Sequence, residues 1–262
     1  MENQKTIAKQ VTLKGAGIHT GNKVNLIFKP AGVGCGVTFS RTDLPGSPRI
    51  KADVGSLLLA PKFSRRSSIG NDQAEVQTVE HLMAALSSLG IDNIDIQIDN
   101  NEVPGLDGSA INFIEALEKA GLTQQDAPRY VYTIKEPICI QEGSSSITIL
   151  PAKEFKISYT LNYDHPMLAA QYLEITIDAG SFKTELSSAR TFCLESEASE
   201  LQNQGLGLGA NYENTLVVGK TGVIKNKLRF NDEFVRHKIL DLIGDLYLAG
   251  CPINGHVVAL KS

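Results

Sequence analysis

Between Val79 and Ile98 the spacing of apolar residues changes from three and four to two, and that change constrains the fold of this 262-residue chain more than any other feature. Val79, Leu82, Met83, Leu86 and Leu89 put one apolar stripe on a helix over residues 77–89, with Thr78 as its cap and Gly90 as its stop. Ile94, Ile96 and Ile98 then alternate with polar residues, the signature of a half-buried strand. Residues 24–28 read as an earlier strand and residues 36–40 as its hairpin partner, while residues 41–75 are polar and turn-rich. A second helix carries Ile111, Phe113, Ile114 and Leu117 and stops at Gly121.

The pattern then repeats. Residues 131–140 and 146–150 form a hairpin around Glu142-Gly143-Ser144, residues 156–163 a strand, and residues 194–204 a short helix. A strand at residues 215–218, a long helix over residues 232–248 and a last strand at residues 257–260 complete the series. Each half is strands, then helix, then strand. The fold class is therefore α+β, with two domains, each a layered sandwich of a β-sheet and helices. The polar, proline-containing stretch 122–129 places the boundary, giving domains of residues 1–125 and 126–262.

Composition narrows the function. Lys and Arg number 25 against 29 Asp and Glu, a net charge of −4 that argues against nucleic acid as a partner. No run approaches the ~18 consecutive apolar residues of a membrane helix, and Met1-Glu2-Asn3-Gln4-Lys5 leads into no apolar stretch of a signal peptide. Cys35, Cys139, Cys193 and Cys251 make no CxxC pair, which excludes a disulfide scaffold or cysteine-rich zinc knot. A cytoplasmic protein without stable membrane insertion is expected.

Of the five histidines, His237 has the most telling company. Asp241 lies four residues on, and at ~100° per residue the two share one face of the long helix, the spacing of a bidentate metal arm or of an ordinary helix-surface pair. His81 occupies the first turn of the other amphipathic helix, directly after Glu80. Two imidazoles and a carboxylate leave the open fourth position of a catalytic zinc site, and Fe(II) suits the same donors. A neighbouring glutamate that is not a ligand can take a proton from water. Alternatively, Glu80 and His81 simply serve the start of a helix, where a carboxylate is favoured. Such a site lies between the two domains. Gly205-Leu206-Gly207-Leu208-Gly209-Ala210 follows a helix rather than a strand and so lacks the context of a dinucleotide fingerprint.

These residues also carry a family resemblance. Gly17-Ile18-His19-Thr20-Gly21, Thr78-Val79-Glu80-His81-Leu82, Gly90-Ile91-Asp92-Asn93, Pro104-Gly105-Leu106-Asp107-Gly108-Ser109, Ala189-Arg190-Thr191-Phe192 and Leu228-Arg229-Phe230 occur in family order. Phe234-Val235-Arg236-His237-Lys238 and Asp241-Leu242-Ile243-Gly244-Asp245 complete the set. The chain resembles the UDP-3-O-acyl-N-acetylglucosamine deacetylases, zinc amidases that commit bacteria to lipid A synthesis. The resemblance implies a Zn2+ cofactor bound by His81, His237 and Asp241, with Glu80 as general base and Thr191 as donor to the oxyanion. It implies a UDP-linked acylated amino sugar as substrate, with Lys238 near its phosphates and Tyr163 stacked on the uracil. An insert of roughly residues 193–218 walls the acyl chain, with Phe192, Cys193, Leu201, Leu206 and Leu208 as candidate wall residues or, equally, ordinary core. A monomer is expected.

Two positions depart from the family. Gly105 stands where an apolar residue is usual. The family also carries a catalytic histidine in a Ser-Gly-His motif, paired with an aspartate matching Asp245, and Ala259-Leu260-Lys261-Ser262 stops where that motif begins. His256 lies before the motif and reads as structural. The expectation is a truncated copy or a natural short form. The rival readings are a zinc- and nucleotide-sugar-binding protein with impaired catalysis, and a zinc hydrolase of another N-acyl sugar.

Overall fold

The computed structural model describes residues 2–59 and 65–261. Its first sheet has five strands in the order Val11–Ala16, Lys23–Pro30, Ile94–Ile98, Val37–Arg41, Arg49–Lys51. Ile94–Ile98 is the middle strand, antiparallel to Lys23–Pro30 and parallel to Val37–Arg41. The expected hairpin between residues 24–28 and 36–40 does not form, because a later strand occupies the space between them. Alternation shows which face a strand buries but not which strand lies beside it. Here Leu26, Phe28, Phe39, Ile96 and Ile98 are fully buried in one core with the helices α1 (Glu80–Leu89) and α2 (Ile111–Ala120).

Both helices end on glycine as expected, α1 at Gly90 in the left-handed region (φ 67°) and α2 at Gly121. The start of α1 differs from expectation. Val79 takes the cap position without a side-chain cap, and Thr78 itself has φ 57°. The stretch that places the expected domain boundary has structure of its own. Leu122–Pro128 is a strand, antiparallel to Asn3–Ile7. Its polar side chains resemble a loop in sequence, yet a largely exposed strand laid against Asn3–Ile7 needs only backbone pairing.

The second sheet has six strands. Five lie in the order Ile138–Glu142, Ser145–Leu150, Ile253–Leu260, Phe155–Leu161, Gln171–Thr176, and Tyr132–Thr133 pairs with the start of Ile253–Leu260. The expected hairpin around Gly143 is present, whereas Gln171–Thr176 has no counterpart in the sequence reading. A short α3 (Ala179–Ser181) runs into a π-helical turn over Phe182–Leu186. Phe192–Leu194, α4 (Glu195–Asn203), Leu216–Gly219 and Gly222–Val223 form a small α/β lobe. The long α5 (Glu233–Tyr247) packs on the second sheet with one face and on α1 with the other. The architecture is α+β.

The α1–α5 contact is unusually close. A Cβ on Gly244 would lie 2.0 Å from the carbonyl oxygen of Glu80, so only glycine fits at that point of the seam. This approach brings the first turn of α1 beside the middle of α5.

Candidate active site

A buried ion pair sets the start of α5. Arg190 Nε meets Glu233 Oε1 at 2.9 Å, with side chains 5% and 0% exposed. Glu233 also accepts the backbone N–H groups of Arg190 and Arg229, at 3.0 and 2.6 Å. The pair ties the Ala189-Arg190-Thr191 segment to the helix, and the carbonyl of Ala189 in turn contacts His237 Nδ1 at 3.0 Å. That contact fixes the ring so that Nε2 points away, toward α1. Removing one partner strands a buried charge. Arg190→Met is therefore expected to cost about 3–5 kcal/mol of stability in urea denaturation, and a loss below about 1 kcal/mol would refute the role given to the pair.

His81, His237 and Asp241 converge. Their donor atoms all lie within 4.8 Å of one another, the one such cluster among the described residues. Asp241 Oδ1 stands 3.4 Å from His81 Nε2 and 3.3 Å from His237 Nε2. That oxygen is buried and accepts no hydrogen bond. The imidazoles meet edge to face with centroids 4.9 Å apart. An orphaned carboxylate oxygen between two ring nitrogens is costly on its own and fits a divalent cation of zinc's preferences. Burial pushes His237 down to about 4 against the opposing pull of Asp241, whereas at His81 burial is outweighed by Asp241 and Glu80, which raise its pKa. Burial opposes ionisation of Asp241, but His237, Lys238 and His81 outweigh it and hold the carboxyl well below its ordinary range.

Glu80 is buried beside the cluster, and its Oε2 accepts the Ser67 N–H at 3.1 Å. Burial first, then the charges of Asp241 and Asp245, push its carboxyl up to about 8. All of this lies along a cavity of about 810 Å³.

Most of the residues expected at the site line that cavity: Thr191, Lys238, Asp245 and Tyr163, together with Phe192, Cys193, Leu201 and Leu206. Thr191 has its backbone pinned on both sides, its N–H donating to Gly108 at 2.8 Å and its carbonyl accepting from Leu216 at 2.9 Å. Lys238 Nζ donates to Asp241 Oδ2 at 3.0 Å. Burial opposes its charge, but Asp241 outweighs that and raises its pKa. Asp245 accepts a hydrogen bond from Ser67 Oγ. Tyr163 meets the edge of Phe192 with ring centroids 6.1 Å apart.

Leu208 is the exception. It is 60% exposed and lies off the cavity wall. Gly205 and Gly207 both adopt left-handed φ, and the Leu208 and Gly209 N–H groups donate to the carbonyls of His19 and Ile18 at 3.0 Å. This stitching turns Leu206 inward and Leu208 outward. It also accounts for the Gly-rich run, since a Cβ on Gly209 would lie 2.1 Å from the Gly17 carbonyl oxygen. His256 lies outside the cavity and contacts Ser158 Oγ at 2.8 Å, in keeping with its structural reading. The expected Ser-Gly-His motif begins at Ser262, outside the described residues.

The sequence reading gave no site role to His19, Arg65, Arg66 or Ser67, all on the cavity wall. Burial pushes His19 down to about 4, with Glu102 opposing, and its Nδ1 is buried without a hydrogen bond. The Gly-Ile-His-Thr-Gly stretch was the available signal for His19. The other three sit in a polar segment without periodicity.

Two imidazoles and a carboxylate on paired helices, a buried glutamate next to one of them and a deep cavity in front have the layout of a hydrolytic metal centre. The chain belongs to the UDP-3-O-acyl N-acetylglycosamine deacetylase family, whose family model matches residues 4–262. It is 40% identical over 260 residues to the UDP-3-O-acyl-N-acetylglucosamine deacetylase of Geobacter sp. (strain M21), covering 99% of this chain and 84% of that protein. The enzyme of the same name from Myxococcus xanthus (strain DK1622) is 39% identical over 261 residues, covering 99% and 82%. That of Saccharophagus degradans (strain 2-40) is 40% identical over 268 residues, covering 100% and 86%.

Proposed function

We propose that this chain hydrolyses the N-acetyl group of a UDP-linked, 3-O-acylated N-acetylglucosamine, releasing acetate as the committed step of lipid A synthesis, with zinc held by His81, His237 and Asp241. The observation that carries the reading is the orphaned Asp241 oxygen between two imidazole nitrogens, with Glu80 alongside. When bound, zinc supplies Lewis acidity toward the amide carbonyl and lowers the pKa of a water in its open position.

The side chains supply the rest. Glu80 Oε2 is occupied by the Ser67 N–H, and Oε1, which a bound divalent cation offsetting the charges of Asp241 and Asp245 would keep ionised, takes the proton of the attacking water. The same oxygen returns it to the departing amine as the C–N bond breaks, so that the free amino sugar and acetate leave with atoms balanced. The Thr191 hydroxyl, on a backbone pinned at both ends, donates to the developing oxyanion. Lys238 is kept cationic by Asp241 and faces the diphosphate. Tyr163 stacks on the uracil, and Phe192, Cys193, Leu201 and Leu206 wall the acyl chain.

We further propose the cytoplasm as its setting and a monomer as its active form. Among the described residues no helix is long and apolar enough to cross a membrane. The test is acetate release from the UDP-linked acyl sugar with zinc counted on the same sample. Turnover with one zinc per chain is expected, and bound zinc without turnover would overturn the enzymatic reading. Leu201→Glu is expected to raise KM for the long-acyl substrate about 10-fold or more by setting a charge against the chain, with the affinity for UDP unchanged. An unchanged KM would remove α4 from the acyl path.

A further inference from the structure

Glu102 lies outside the metal cluster, is 1% exposed, and gathers four hydrogen bonds from two separate parts of the chain. Its Oε1 accepts the His19 N–H at 2.8 Å and the Thr78 hydroxyl at 2.9 Å. Its Oε2 accepts the Thr20 N–H at 2.7 Å and the Thr20 hydroxyl at 2.6 Å. A Cβ on Gly17 would lie 2.1 Å from that second oxygen, so the turn is shaped to admit the carboxylate.

Each oxygen faces one backbone N–H, and a backbone N–H cannot rotate away. A carboxylate is acceptor-only and meets both. A glutamine in the same place, whichever way its amide is turned, sets an NH2 against either the His19 or the Thr20 N–H. The site therefore selects a carboxylate rather than a polar group of the right size.

The two things so joined both belong to the cavity. On one side is Thr78, held at φ 57° two residues before Glu80. A threonine stays in that sparsely populated region only when its surroundings over-determine it. Val79 gives α1 no side-chain cap, so the hydroxyl bond to Glu102 helps hold the helix start from outside. On the other side is the His19–Thr20 turn. The carbonyls of Ile18 and His19 carry the 206–210 loop, and Leu206 of that loop lines the cavity.

We propose that Glu102 is a positioning residue for the deacetylation, fixing the start of α1, and with it Glu80, relative to the His19 turn and the acyl-facing loop that rests on that turn. The inference rests on the proposed function for its kinetic consequences only. The two arms act on different steps. The Thr78 arm sets the proton-transferring carboxylate, and the Thr20 arm sets the wall that receives the substrate.

The test uses the full chain loaded with zinc and compares Glu102→Gln, Thr78→Val and Thr20→Val. Thr78→Val is expected to lower kcat about 10-fold with KM within about twofold. Thr20→Val is expected to raise KM roughly fivefold with kcat within about twofold. Glu102→Gln is expected to show both changes with zinc still bound one to one. Amide exchange at Leu208, Gly209 and the 17–21 turn is expected to quicken about 10-fold or more in Glu102→Gln. The proposal falls if the two threonine variants change the same parameter, if neither changes any, or if exchange in those segments is unaltered. Should Glu102→Gln fail to fold, the threonine variants and their exchange carry the decision. A wild-type chain without turnover would sink the proposed function, and the exchange measurements would still judge the clamp.

Discussion

Glu80→Gln is expected to lower turnover by about 10²–10⁴ while leaving zinc stoichiometry unchanged. Glutamine matches the volume of glutamate and keeps an oxygen for the Ser67 N–H, so the wall of the cavity stays in place. It loses the capacity to accept and return a proton. The proposed metal donors, His81, His237 and Asp241, are other side chains and remain in the variant. Near-normal acetate release in this variant would remove Glu80 as the base. A second readout is independent of turnover. Burial raises the Glu80 carboxyl from 4.5 to about 8, so between those values the metal-free folded chain holds a proton that the unfolded chain releases. The stability of the metal-free protein therefore falls as pH rises through that window. Glu80→Gln removes that contribution, making the metal-free variant more stable near pH 8 and flattening the dependence.

Gly244→Ala is expected to abolish one-to-one zinc binding and to lower turnover about 100-fold or more, since a misplacement near 1 Å has costs of that order. The new Cβ would fall 2.0 Å from the Glu80 carbonyl oxygen. Its neighbour is helical backbone, which cannot swing aside, so the two helices must part. His81 rides on one helix and His237 and Asp241 on the other, and their separation is the very distance that the substitution increases. Overpacking of this kind costs about 1–3 kcal/mol, and a lowered urea midpoint should accompany the loss of metal. Wild-type zinc content and activity in Gly244→Ala would show that the seam tolerates spreading and that the site does not depend on its closeness.

What the sequence made legible follows from what periodicity measures. The stripes of α1 and α5 and the i, i+4 placement of His237 and Asp241 are local properties of one helix, and they were readable. The neighbours of each strand were not. Nothing in the alternation of residues 94–98 shows that this strand separates residues 24–28 from residues 36–40. The ribbon strand Leu122–Pro128 was hidden for a related reason, since its pairing uses backbone groups that every polar stretch possesses. Thr78 had the right chemistry for a cap, but its hydroxyl was already committed to Glu102, a residue far away in sequence. The constraint on the Gly-rich run at 205–209, a backbone resting on the 17–21 turn, exists only between distant segments. His81 was grouped with His237 and Asp241 through the company of Glu80 and the family resemblance, and the three side chains do converge. Its distance from them was set by Gly244, a small residue on the opposite helix that no pattern on α1 reveals.

Because His81 is carried by α1 and His237 with Asp241 by α5, an ion seated among them acts as a removable cross-link between the early and late parts of the chain. Its binding free energy becomes cohesion of the α1–α5 seam, about 2.7 kcal/mol when the free ion stands at 100 times its dissociation constant. On the proposed function, scarcity of the metal would then act twice. It would withdraw the chemistry and slacken the joint that shapes the cavity, so the same concentration of ion would govern both how fast the protein works and how long it stays folded.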